Sequence, residues 1–193
     1  FTVAAALESG AITGNETFTC NGYLEVAGSK IKCHSYLSGG EGTVSVQDSI
    51  AWSCNVALMK IAEIMGKETF CKFQDIFNMG LKTNIDLAGE ARTVGLIRTV
   101  DNISTVDLAC NSFGQNYNVT MIQMIAGFCS LINGGYYYEP HVVSKITNSN
   151  GATIQNIEPR VLKQTVSEST SELIRQYCRA TVMEEGGERR TGK

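Results

Sequence analysis

Ser53, Cys54 and Asn55 place a hydroxyl, a thiol and a carboxamide in succession at a break between two apolar runs. A hydroxyl and an amide two residues apart can face one cleft, the first passing protons and the second holding a peptide backbone. As text the Ser-x-Asn triplet is weak, because the Ser and Asn content of the chain yields about one by chance. A serine also needs an activating base before it can attack a carbonyl. The nearest lysine downstream of Ser53 is Lys60, which on a helix is about two turns, or roughly 10 Å, away. His34 and His141 are the only histidines, and neither has an acid partner legible in the sequence, so a Ser-His-Asp triad is not expected.

The elements that must position this corner lie between Gly42 and Gly66, which reads as two consecutive helices. Ser45 with Asp48 opens the first, the hydroxyl capping backbone amides and the acid favouring the positive end of the dipole. Val56, Met59, Ile61 and Ile64, with the small Ala57 and Ala62, make the second a buried helix, and Gly66 stops it. Upstream, Phe1 to Leu7 reads as the tail of a buried helix, Cys20 to Cys33 as a hairpin turning at Gly28, and Ser35 to Gly42 as a flexible connector. Downstream, Lys67 to Met79 carries an amphipathic stripe of Phe70, Phe73, Ile76 and Phe77 and ends at Gly80. Leu81 to Tyr117 has little periodicity and reads as irregular. Thr120 and Gln123 open a further helix whose buried face is expected to be Ile122, Ile125, Ala126, Cys129 and Ile132. Tyr136 to Ile157 alternates as a hairpin turning at Asn150-Gly151, and a last helix is expected from Ser169, capped with Glu172 and burying Leu173, Ile174, Tyr177 and Cys178. Beyond Val182 the text is loop.

With 193 residues, 43% hydrophobic and 18% charged, the chain has the length of one domain and can bury a core. A net charge of -3 with scattered Lys and Arg excludes the electrostatic footprint of a nucleic-acid binder. No apolar run reaches the roughly 18 residues that cross a bilayer. The chain opens on Phe1 in mid-pattern, so it is expected to be an excerpt, with residues 1–193 forming one part of one domain. Cys20 and Cys33 flank the hairpin and are expected to form a disulfide; the remaining five of the seven cysteines suit small buried hydrophobes. Cys20, Cys33 and His34 can alternatively be read as metal ligands. A structural zinc site takes four ligands and the sequence suggests no fourth, so neither a metal nor a cofactor is expected.

Taken together, the segments resemble the transpeptidase domain of class B penicillin-binding proteins, nearest to the sporulation and cell-division members. The residues that carry the resemblance are Ser53-Cys54-Asn55-Val56-Ala57-Leu58 and Gly80-Leu81 through Ile85-Asp86-Leu87 and Gly89-Glu90. To these are added Ser112-Phe113-Gly114-Gln115 with Val119-Thr120 and Gln123, and Asn133-Gly134-Gly135 ahead of Pro140. Each is weak alone, and their order and spacing are specific. The resemblance implies an α+β, mainly helical fold: a partial serine β-lactamase-like transpeptidase domain lacking most of the central antiparallel sheet.

The family gathers a Ser-x-x-Lys, a Ser-x-Asn and a Lys-Thr-Gly around one cleft. By resemblance Ser53 relays protons and Asn55 hydrogen-bonds the substrate's backbone, while the nucleophile and its lysine are expected just before Phe1. Arg190-Thr191-Gly192 imitates Lys-Thr-Gly with the cation kept, although the family motif lies on an apolar strand and EEGGERR is charged and glycine-broken. The implied partners are a peptidoglycan stem peptide ending in D-Ala-D-Ala and β-lactams, with no nucleic acid. The implied place is the extracytoplasmic face of a bacterial membrane, anchored by a segment outside this chain. A penicillin-hydrolysing or penicillin-sensing relative, and a non-catalytic wall or division scaffold, are the other readings. The first of these needs a deacylating base, for which the sequence offers no candidate.

Overall fold

The computed structural model describes residues 1–183. Its organising helix is α3 (Asn55–Met65), which packs against α1 (Thr2–Glu8), α4 (Lys67–Ile76), α5 (Thr105–Ser112) and strand β1 (Thr17–Cys20). Val56, Ala57, Met59, Ile61, Ala62 and Met65 of α3 are buried, as are Ala4 and Ala6 of α1, and the small alanines let the two backbones approach closely. Ile64, read as part of the buried face, instead points outward. Phe70, Phe73 and Phe77 complete the same core, as their spacing requires.

Strand pairing is local and slight. Among the described residues there are four two-stranded antiparallel ladders and no larger sheet. β2 (Tyr23–Val26) and β3 (Ser29–Lys32) form the expected hairpin, with Val26 opposite Ser29. Ala27 and Gly28 between them both have positive φ, 48° and 79°, the signature of a turn whose twist matches that of the strands. The stretch from Ser35 to Gly42, read as a flexible connector, is ordered into a 3-10 turn at His34–Ser38 followed by β4 (Gly42–Ser45), which pairs with β1. Gly40 permits this approach: its φ is 100°, and a Cβ there would overlap the Cys20 carbonyl oxygen.

α2 (Val46–Ala51) begins as predicted, Ser45 Oγ accepting from the Asp48 amide and Asp48 Oδ2 accepting from the Ser45 amide and hydroxyl. The segment read as irregular contains α5, opened by an equivalent box between Ser104 and Asp107. Only Leu108 and Ala109 bury apolar surface there, too few to show a period. In α6 (Met121–Ile132) the buried face is Gln123, Ala126, Gly127, Ser130 and Leu131, while Ile125 and Cys129 are exposed. Ala126 is buried as expected and Ile122 and Ile132 are half-buried, so the buried face is rotated from the expected one toward Gln123, Gly127, Ser130 and Leu131.

The predicted 136–157 hairpin is two nested ladders. β5 (Tyr136–Tyr138) pairs with β8 (Val161–Gln164), and inside them β6 (Lys145–Thr147) pairs with β7 (Thr153–Asn156). His141 and Val143 therefore lie before β6, where Asp86 accepts the Val142 and Val143 amides at 2.7 and 2.9 Å and bends the chain. α7 (Glu168–Met183) starts slightly earlier than expected, because Ser167 rather than Ser169 caps it by accepting from the Thr170 amide. Ile174 and Tyr177 are buried as predicted, whereas Leu173 and Cys178 are half-buried. No helix among the described residues is long and apolar enough to cross a membrane.

Candidate active site

Ser53 occupies the corner between α2 and α3 with φ 52°, a left-handed conformation that few non-glycine residues adopt. Its amide donates to the Ile50 carbonyl at 3.1 Å, closing the last turn of α2, and the next residue, Cys54, is the N-cap of α3. The chain thus reverses within two residues and leaves the Ser53 side chain exposed while Cys54 is fully buried. Strained backbone of this kind persists where surrounding packing dictates it, and such positions cluster at functional sites.

Ser53 lines a cavity of about 340 Å³, together with Phe1 and Thr2 from the start of α1, Ile50, and the segment Asn111 to Gly114. Thr2 Oγ1 donates to the Ser112 carbonyl at 2.7 Å, so the first turn of α1 is tied to the end of α5 on the cavity wall. Asn111 is buried; its amide nitrogen donates to the Gln115 carbonyl at 3.0 Å, and its Oδ1 has no partner among the described residues. Asn55 Nδ2 donates to the Lys32 carbonyl at 3.1 Å, holding the first turn of α3 against β3. Ser53 and Asn55 thus share one corner, Ser53 lining the cavity and Asn55 turned to β3.

Among the described residues no base stands beside Ser53. Lys60 Nζ donates to the Thr19 carbonyl at 3.0 Å on the side of β1. His34 does have an acid neighbour that the sequence did not reveal, Glu41, at 3.5 Å, but its Nε2 is 2.7 Å from the Trp52 carbonyl oxygen. It braces the peptide before Ser53. A Ser-x-x-Lys text does occur at Ser29 to Lys32, but on β3, where residues three apart point to opposite faces. Arg190, Thr191 and Gly192 lie outside the described residues.

Behind the corner, Cys20, Cys33 and Cys54 are free thiols whose sulfurs all lie within 4.8 Å of one another. Burial alone raises the Cys33 pKa, but the Ser35 amide and hydroxyl and the Asn55 and Val56 amides outweigh it and hold the thiol down at about 7. Burial pushes the Cys54 thiol up. Cys54 was missing from the expected pair; its place inside Ser-x-Asn was the one available signal, since an inward residue must separate two outward ones at such a corner.

The family described as "Penicillin binding protein transpeptidase domain" matches residues 1–193. Stage V sporulation protein D of Bacillus subtilis is 34% identical over 187 residues, which cover 96% of this chain and 28% of that protein. Penicillin-binding protein PbpB of Mycolicibacterium smegmatis is 24% identical, covering 94% and 27%. The chain spans a little over a quarter of the length of these relatives. Among solved structures, penicillin-binding protein 3 of Mycobacterium tuberculosis in complex with aztreonam superposes with a TM-score of 0.82 at 21% identity, covering 98% of this chain and 41% of that one. The transpeptidase domain of Burkholderia pseudomallei penicillin-binding protein 3 gives 0.80 at 22% identity, covering 96% and 52%.

Proposed function

Since the chain belongs to the family of penicillin-binding protein transpeptidase domains, we propose that it forms part of a peptidoglycan D-alanyl-D-alanine transpeptidase working through a serine acyl-enzyme. The observation that carries this reading is the shared cavity of Ser53 and the first turn of α1. A helix that supplies a Ser-x-x-Lys in the turn before Phe1 delivers its serine and lysine to the wall facing Ser53.

In the reaction, the lysine amine takes the proton of that upstream serine as its oxygen attacks the penultimate D-Ala carbonyl of a stem peptide. The tetrahedral intermediate collapses, the C–N bond breaks, and terminal D-Ala leaves after receiving a proton through the Ser53 hydroxyl. An acceptor amine then attacks the acyl-serine, forming the crosslink and regenerating the hydroxyl. Asn55 hydrogen-bonds the backbone of the bound peptide. Arg190-Thr191-Gly192 is assigned no part; a Lys-Thr-Gly on a sheet strand holds the substrate carboxylate. No cofactor is required. β-Lactams acylate the same serine, because their strained amide occupies the place of the D-Ala-D-Ala bond. The reaction takes place at the extracytoplasmic face of the bacterial membrane, with the anchor outside this chain, whose 193 residues alone carry no acylation.

The test is acylation and crosslinking by the full-length protein and its Ser53→Ala and Asn55→Ala variants. Each variant is expected to lose about a hundredfold or more in acylation rate, the usual scale of a lost proton-transfer group, with thermal unfolding unchanged in Ser53→Ala and modestly lowered in Asn55→Ala, which gives up the bond to the Lys32 carbonyl. Unchanged rates in both variants would defeat the assignment.

A further inference from the structure

We infer that Cys20, Cys33 and Cys54 form a tris-thiolate site for one thiophilic divalent cation of the zinc class, seated directly behind the Ser53–Asn55 corner. The three sulfurs come from three separate elements: the end of β1, the residue after β3, and the N-cap of α3. Their mutual distances are within 4.8 Å. A tetrahedral zinc with Zn–S bonds of about 2.3 Å needs sulfurs roughly 3.8 Å apart, so closure requires shifts of an ångström or less. All three residues are buried, which limits contact with bulk solvent.

Backbone amides point at two of the three sulfurs, and an amide N–H is a donor suited to a metal-bound thiolate. The amides of Ser35, Asn55 and Val56 are directed at Cys33, and the Ala57 amide at Cys54. Three of these amides belong to the first turn of α3, where the helix dipole is positive. The Ser35 hydroxyl is buried, has no oxygen or nitrogen partner among the described residues, and faces the Cys33 sulfur. Three thiolates around a divalent ion leave one negative charge, and the α3 amides offset it. On binding, each remaining S–H releases its proton to solvent as the S–metal bond forms; no atom changes oxidation state. The fourth position is left to a small exogenous ligand such as water. His34 does not supply it, because its Nε2 is engaged by the Trp52 carbonyl.

A bound cation joins β1, β3 and α3 at the point where Ser53 and Asn55 leave the backbone, and so fixes that corner. This inference stands apart from the acyl-transfer reading and is tested without activity. The protein, reduced and desalted without oxygen, is titrated with Cd²⁺ and followed by thiolate-to-metal absorption, and its Zn²⁺ content is read by native mass spectrometry. One ion per chain is expected, with affinity falling about tenfold or more in Cys20→Ser, Cys33→Ser and Cys54→Ser, and unchanged in Cys71→Ser and Cys129→Ser. Alkylation footprinting of the Zn²⁺-loaded wild type, which needs no variant to fold, should protect the three thiols and leave Cys129 reactive. Absence of uptake by the reduced, folded protein, equal loss in Cys129→Ser, or a Cys20–Cys33 disulfide that survives reduction would overturn the proposal.

Discussion

Gln123 Nε2 donates to the Leu81 carbonyl at 2.7 Å across 42 residues of sequence, and this contact joins α6 to the loop that follows α4. The same side chain accepts through Oε1 from the Gly80 amide, the Thr93 hydroxyl and the Thr120 amide, at 3.0 to 3.3 Å, and is wholly buried. Gln123→Leu keeps the volume and leaves several buried polar groups unpartnered, each at about 1–3 kcal/mol. The expected loss of stability is about 2–4 kcal/mol in urea unfolding. A change below about 0.5 kcal/mol would mean that water replaces the amide.

Gly28 in the β2–β3 turn and Gly40 before β4 separate steric demand from conformational demand. Gly40 and Gly28 both have positive φ, but a Cβ at Gly40 meets the Cys20 backbone while at Gly28 it meets open space. Gly28→Ala is expected to cost about 1 kcal/mol, as for a lone unfavourable φ. Gly40→Ala should cost at least twice that, since the Cys20 strand must move. Equal costs measured by denaturant midpoint would refute the close approach.

Glu8 ties α1 to the start of α7, accepting from the Ser167 amide at 2.9 Å and the Ser167 hydroxyl at 2.8 Å. Burial alone raises its pKa, but hydrogen bonds from Thr170 and Ser167 outweigh it, and the net direction is down. A depressed folded-state pKa stabilises the fold above the unfolded value, about 4.3, and that contribution fades as pH falls through the lower folded value. The stability gap between wild type and Glu8→Gln should be full near pH 7 and close in acid. A gap that widens on acidification would reverse the sign.

Capping was the most legible layer of the sequence: Ser45 with Asp48 and Thr120 with Gln123 start helices where their spacing said they would. The Cys20–Cys33 hairpin was legible for the same reason, a short-range turn with its own residues. Long-range pairing was not. β4 pairs with β1 across a gap of more than twenty residues, and β5 finds β8 rather than its nearer neighbour, because strands this short carry too little pattern to select a partner. In α6 the buried face departs from the hydropathy pattern because Gly127 and Ser130 bury by smallness while Ile125 and Cys129 are left outside. At the corner, Ser53 was singled out by its text and family resemblance, but its positive φ and the third thiol behind it depend on a tertiary reversal that periodicity does not record.

The most direct measurement is intact-mass analysis after incubation with a labelled penicillin, made on the 193-residue chain, the full-length protein, and full-length Ser53→Ala. The chain alone should show no adduct, since a serine without a neighbouring base stays unreactive. The full-length protein should gain one penicilloyl group on a serine upstream of Phe1, and Ser53→Ala should gain the same group about a hundredfold more slowly. A stoichiometric adduct on Ser53 itself would contradict the assignment of Ser53 as relay and make it the nucleophile.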